Sequence, residues 1–172
     1  KTPLQDLLPR LDTLAFQHKL GSMLDKAQRI EKLVTALLPS TGLSEEEAHT
    51  ALLAARLCKA DLVSHMVIEM TSLQGIMGRD YARHSGYPDG VADAIYEHYL
   101  PRFAGDSQPA SKPGLVVGLA DRLDSLAGLF AAGLAPSGTK DPFALRRSAL
   151  GLVQNLISWN LDFDLAAGLQ LA

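Results

Sequence analysis

The sequence has little cysteine, few aromatic residues and no long apolar run. Cys58 is the only cysteine among 172 residues, which excludes an internal disulfide and a cysteine-based zinc cluster. No run of about 18 uninterrupted apolar residues occurs, and the amino end lacks a basic region followed by an apolar one, so the sequence predicts neither a membrane span nor a signal peptide. These absences favour a cytoplasmic protein.

The chain also lacks a strong charge of either sign. Its net charge is −3, and 20% of its residues are charged. A weakly acidic protein does not attract polyanions as a whole, so any nucleic-acid contact requires a local basic patch. The length fits one domain over residues 1–172. Because the chain opens on Lys1 and closes on an apolar segment, we expect it to be cut from a longer polypeptide.

Alternation of apolar and polar residues with a period of two is absent, so the sequence predicts an all-α fold. Residues 1–18 form an irregular lead-in interrupted by Pro3 and Pro9, residues 19–157 form the helical core, and residues 158–172 form a terminal segment. Apolar residues at helical spacing and capping signals predict the helices of the core. These helices span residues 20–38, 44–68, 79–85, 91–100, 115–134 and 141–156. Ser44 and Glu47 form a capping box at the start of the second, Lys26 belongs to the polar face of the first, and the most apolar one, 115–134, is expected in the middle of the fold.

The last predicted helix of the core has a basic start. Asp141 followed by Pro142 is typical of an N-cap with proline in the first turn. Lys140, Arg146 and Arg147 would then lie beside free backbone N–H groups, an arrangement that suits an anion or a phosphate. The alternative is an ordinary capped surface helix that carries a few arginines.

Aspartates also occur inside segments that are otherwise largely apolar, namely Asp61 in LCKADLVSHM and Asp121 with Asp124 in GLADRLDSLAG. A buried carboxylate needs a cation, a metal or hydrogen-bond donors. The sequence leaves two interpretations open, a structural salt bridge to a residue such as Lys59 or Arg122 and a catalytic or metal site. His98 is interpreted as a hydrogen-bonded helix residue, because no second metal-binding side chain shares its helix face.

The ADL segment and the later LADRLDSL segment together resemble the HD superfamily of metal-dependent phosphohydrolases. In that superfamily a histidine, a His-Asp pair and a later aspartate bind a divalent metal. Asp61 matches the aspartate of the pair and Asp121 the late aspartate, whereas Ala60 stands in place of the paired histidine. Two carboxylates without imidazoles can hold a hard cation such as Mg²⁺ only weakly, so the resemblance implies a degenerate HD-like helical bundle without the metal site of the hydrolases.

Longer strings resemble the β subunit of the bacterial two-subunit glycyl-tRNA synthetase, whose middle section contains such an HD-like domain. The strings cover most of residues 19–157. They are KLGSMLDK, AARLCKADLVSHMVIEMTSLQGIMGRDYA, VADAIYEHYLPRFAGDSQP, GLADRLDSLAGLFAAG and PSGTKDPFALRRSALGLVQNLI.

This second resemblance implies a domain that binds and positions tRNA(Gly) without catalysing a reaction or holding a cofactor. Aminoacylation, with ATP and Mg²⁺, would occur in the partner α subunit of a heterotetramer. The alternative is a working HD phosphohydrolase that acts on a nucleotide, with Asp61 and Asp121 as metal ligands. The candidate RNA-binding residues are Lys140, Arg146 and Arg147, and a second basic group of Arg79, Arg83 and His84.

Overall fold

A computed structural model describes residues 2–172 and confirms the all-α class. Three 3₁₀ segments, Leu4–Thr13, Ala60–Val63 and Thr71–Leu73, and one short hairpin accompany the α-helices. The α-helices are α1 (Met23–Thr41), α2 (Glu45–Leu57), α3 (His65–Glu69), α4 (Ile76–His84), α5 (Asp89–Glu97), α6 (Lys112–Ala131), α7 (Leu145–Ser158) and α8 (Leu165–Leu171).

The predicted absence of strands is wrong at one point. Ala15–Gln17 (β1) and Gly21–Ser22 (β2) pair as a short antiparallel hairpin before α1. Gly21 adopts φ +82° at the turn, a backbone conformation that glycine tolerates better than other residues. Five strand residues are too few to show a period of two in the sequence.

Helix α6 lies at the centre of the fold. It contacts α1, α2, α5 and α7, and its buried residues face nearly all directions. Small residues permit these close contacts. A Cβ added at Gly118 would lie 3.0 Å from the carbonyl oxygen of His98, so glycine at this position allows the segment after α5 to approach the α6 backbone.

The lead-in is more ordered than the sequence predicts. Residues 4–13 form a 3₁₀ helix, and its side chains Leu4, Leu7 and Leu11 are buried in the core. Their spacing of three and four residues places them on one face. Pro9 lies inside this segment, so the proline that predicted an interruption removes one backbone donor without ending the helix.

Several helix limits differ from the prediction, although α1 and α2 each begin at a capping box. Ser22 and Asp25 form a capping box for α1, and the predicted capping box of Ser44 and Glu47 opens α2. The single helix predicted over 44–68 is wrong, since α2 ends at Leu57 and the chain turns through the 3₁₀ segment before α3. The Ser64 side chain accepts the N–H of Val67 and so restarts the helix after this break.

The predicted helix over 141–156 begins four residues later, at Leu145. In the described part of the chain, no helix combines the length and apolar character that crossing a bilayer requires.

Candidate functional site

Asp121 on α6 forms ion pairs with two lysines. Its Oδ2 lies 2.7 Å from Nζ of Lys59, and its Oδ1 lies 3.1 Å from Nζ of Lys26. Burial alone would raise the pKa of Asp121, but the ammonium groups of Lys59 and Lys26 outweigh it and hold the pKa well below its usual range. The salt-bridge interpretation therefore describes Asp121, with Lys26 as a partner that the sequence did not single out.

Lys26 joins Asp121 to a second carboxylate. Its Nζ lies 2.8 Å from Oδ2 of Asp124 and 2.8 Å from Oγ of Ser125. Nε of Arg29 lies 2.6 Å from Oδ1 of Asp124. Both aspartates of α6 are thus neutralised by cations from α1 and from the segment after α2.

His98 is completely buried beside this network. Its Nε2 lies 3.0 Å from Nζ of Lys59, and its Nδ1 contacts the carbonyl oxygen of Ile95. Because an ammonium group can only donate, Nε2 must accept, and the proton belongs on Nδ1. Burial and the adjacent Lys59 charge lower the pKa of His98 to about 3, so the ring is neutral.

Asp61 has different partners from Asp121. Its Oδ2 accepts the backbone N–H groups of Gly75, at 2.7 Å, and Gly78, at 2.9 Å. Burial raises the pKa of Asp61, and these two N–H groups oppose the rise. Asp61 therefore holds the chain at the start of α4, where Gly75 adopts φ +79°. Beside it Ala60 contributes only a buried methyl group.

The side chains present do not fit the divalent metal that the HD resemblance would imply. The oxygens of Asp121 face ammonium groups. In Asp61, Oδ2 accepts two backbone N–H groups, and Oδ1 is buried without a hydrogen-bond partner among residues 2–172. Across residues 2–172 there is no cluster of three His, Cys, Asp or Glu side chains placed to hold a metal ion. A cation at Asp121 would have to displace Lys59 and Lys26, which already form ion pairs with the carboxylate.

Asp121 opens into a cavity of about 780 Å³ between α6, the start of α7 and the segment after α5. One carboxylate, Asp121, lines it together with basic and aromatic side chains. The basic side chains are Lys26, Lys59, Arg102, Arg122 and Arg147, and the aromatic ones besides His98 are Phe16, Tyr99, Phe103 and Phe143.

Arg122 forms one wall of the cavity, and sequence reasoning assigned it no more than a possible ion pair. Its guanidinium donates to the carbonyl oxygens of residues 98–101 and of Gly118. Burial lowers the pKa of Arg122, and within residues 2–172 no carboxylate lies at ion-pair distance from it. An arginine inside a helix as apolar as α6 was the sequence signal that could have indicated a buried role for Arg122.

The start of α7 differs from the predicted N-cap. The carboxylate of Asp141 accepts the N–H of Leu145 at 2.8 Å and that of Arg146 at 3.0 Å, so it caps the helix from four residues ahead. Ala144 lies between them with φ +53°. Asp141 therefore uses two of the N–H groups that the sequence had assigned to an anion.

The basic residues at this helix start point in different directions. Arg147 lines the cavity, whereas the guanidinium of Arg146 donates to the carbonyl oxygen of Gly138 at 2.7 Å. Lys140 is exposed in the turn, where its backbone pairs with Ser137. All three side chains are free of ion pairs to carboxylates of residues 2–172.

The second predicted basic group does not join the first. Arg83 forms ion pairs with Asp89, at 2.9 Å, and Asp93, at 2.7 Å, so its charge is already balanced. The guanidinium of Arg79 lies 4.4 Å from the ring centroid of Tyr96. These residues and the exposed His84 lie outside the cavity lining.

The profile of the family described as glycyl-tRNA synthetase beta subunit matches residues 1–172. The glycine–tRNA ligase beta subunit of Chromohalobacter salexigens is 51% identical over 162 residues, covering 94% of this chain and 23% of the relative. Those of Clostridioides difficile and Moorella thermoacetica are each 48% identical, over 96% and 100% of this chain and 24% and 25% of the relatives. The chain thus spans about a quarter of the length of these relatives. It belongs to the glycyl-tRNA synthetase beta subunit family, which confirms the resemblance inferred from the sequence.

Proposed function

We propose that this chain is a non-catalytic, HD-like part of a glycyl-tRNA synthetase β subunit and that it holds tRNA(Gly) for glycylation. The observation that carries the proposal is the set of exposed cations at the start of α7, namely Lys140, Arg146 and Arg147, none of which forms an ion pair with a carboxylate of residues 2–172. Cations that are not neutralised within the fold remain available to RNA phosphates. Arg83, which Asp89 and Asp93 neutralise, is a weaker candidate than the sequence alone indicated.

The same proposal includes the wider assembly. Glycine activation with ATP and Mg²⁺ takes place in a partner α subunit, the complete enzyme is a heterotetramer, and it works in the cytoplasm. The names of the relatives, all beta subunits of glycine–tRNA ligase, support the existence of such a partner. No bond is broken at Asp61 or Asp121, because each carboxylate is engaged by donors of the protein itself.

The geometry of the site does not support the alternative of a working HD phosphohydrolase. Metal-assisted hydrolysis needs a cation with an open coordination position for water. Lys26 and Lys59 direct their ammonium groups at the carboxylate that would have to ligate that cation.

Replacing Arg146 and Arg147 together with alanine tests the RNA contact. We expect tRNA(Gly) affinity to fall about tenfold at moderate salt, because binding releases fewer counterions when a phosphate contact is lost. The slope of log affinity against log salt should become shallower by about one unit per contact. Fluorescence anisotropy of labelled tRNA(Gly) at several salt concentrations measures both quantities.

A charge-matched control replaces Arg10 and Lys32, which are exposed and lie outside α7 and the cavity. This control should alter the affinity and the salt slope much less than the α7 variant. If both double variants bind tRNA(Gly) equally well, the start of α7 is not the contact.

A further inference from the structure

The cavity at Asp121 has an unbalanced charge. Five basic side chains line it against one carboxylate. Asp124 and Asp106 lie outside the lining, and they pair with Lys26 at 2.8 Å and with Arg102 at 3.3 Å. Arg122 and Arg147 remain without an acidic partner among residues 2–172. A recess with excess positive charge and partly buried walls concentrates anions.

The basic groups differ in how freely they could meet a ligand. Lys26, Lys59 and Arg122 are buried and held by protein acceptors. Arg147 is exposed and makes no hydrogen bond or ion pair through its side chain within residues 2–172. Its guanidinium therefore presents all its donors, and this planar fork matches the oxygens of a phosphate group.

Aromatic rings accompany these charges. The rings of Phe16 and Tyr99 are already covered, since Nζ of Lys26 lies 4.5 Å and Nζ of Lys59 4.3 Å from the respective centroids. Phe103 is 60% exposed, and Phe143 is half-buried beside Arg147 in the lining. Exposed rings next to unpaired cations are the combination that binds a nucleobase together with its phosphate.

We propose that this cavity binds a nucleoside 5′-phosphate unit, with the phosphate at Arg147 and the base against Phe143 or Phe103. The cavity volume of about 780 Å³ lies within the range of small-molecule sites. The buried lysines contribute positive charge to the site. Its source is either a free mononucleotide or an unpaired nucleotide of an RNA strand, because both present the same chemistry.

Exposed arginines inside and outside the cavity provide a matched test. Adenosine 5′-monophosphate and inorganic phosphate are titrated by calorimetry into the 172-residue chain and into its Arg147→Ala, Arg10→Ala and Phe143→Leu variants. Arg147→Ala should weaken both ligands about tenfold, because it removes a charged hydrogen-bond donor. Phe143→Leu should weaken the nucleotide about fivefold and leave phosphate unchanged. Arg10→Ala, which alters an exposed side chain outside the lining, should change neither affinity.

Thermal unfolding of each variant shows that the fold is retained before the affinities are compared. The proposal is overturned if the nucleotide does not bind, if it binds no more tightly than phosphate, or if the two arginine variants lose affinity equally. A short single-stranded RNA that displaces the mononucleotide identifies RNA as the source, and failure to displace it identifies a free nucleotide. Loss of nucleotide binding alone would leave the tRNA contact at Lys140 and Arg146 standing.

Discussion

Replacing Lys59 with methionine is expected to lower the free energy of unfolding by about 3 kcal/mol, because removing one partner of a buried ion pair leaves a charge without compensation. Lys59 is 3% exposed, pairs with Asp121 at 2.7 Å and donates to His98 at 3.0 Å. Lys26 continues to neutralise part of the Asp121 charge, which keeps the loss at the low end of values for buried pairs. Urea unfolding near neutral pH measures the change.

Two further variants separate this effect from a general loss of a lysine. Lys32→Met removes an exposed lysine from α1 and should change the free energy by less than about 0.5 kcal/mol. The double variant Lys59→Met with Asp121→Leu removes both charges and should regain much of the lost stability, since apolar residues can replace a buried ion pair. A Lys59→Met protein as stable as Lys32→Met would show that Asp121 does not depend on Lys59.

The stability of the fold should decrease below neutral pH because of His98. Burial and Lys59 lower the pKa of His98 from 6.5 to about 3 in the folded chain. The unfolded chain therefore takes up this proton first as the pH falls, so the contribution of the neutral ring is complete above about pH 6.5 and is lost towards pH 3. Between about pH 6.5 and pH 5 the loss should be about 2 kcal/mol.

The His98→Asn variant isolates this contribution. The asparagine amide can donate to the carbonyl of Ile95, as Nδ1 does, but it does not titrate. The raised pKa values of Asp61 and Glu97 act in the opposite direction, and both proteins share them. Urea unfolding at about pH 7 and pH 5 should show a loss that is about 2 kcal/mol larger in the wild type. Equal losses in the two proteins would mean that His98 does not carry the pH dependence.

The sequence predicts those helices whose limits are marked by nearby residues. It fails where contacts with distant parts of the chain determine the limits. Ser44 and Glu47 define the start of α2 by themselves, and the apolar α6 could be placed at the centre from composition. The break after Leu57 depends on a side chain that binds backbone groups elsewhere, whereas α7 starts late because Asp141 caps it from four residues ahead. Asp61 takes the N–H groups of Gly75 and Gly78, and periodicity cannot show such a contact.

The candidate site was predictable only in part. The aspartates of α6 indicated that cations must lie nearby. Lys26, however, was assigned to the polar face of α1, whereas it is buried there with 3% of its surface exposed. The sequence also could not distinguish Arg146 from Arg147. Adjacent helix residues point about 100° apart, so which one enters the cavity depends on how α7 packs on α6.

The central claim is that lysine ammonium groups neutralise Asp121 of α6, at a position where the HD resemblance would imply a metal. Titration of Mn²⁺ alone, followed by the electron paramagnetic resonance of the free ion, tests it most directly. The account predicts that the 172-residue chain removes no Mn²⁺ from solution up to about 1 mM, the affinity of the weakest protein sites for hard divalent cations. Stoichiometric uptake that disappears in Asp121→Asn would contradict it.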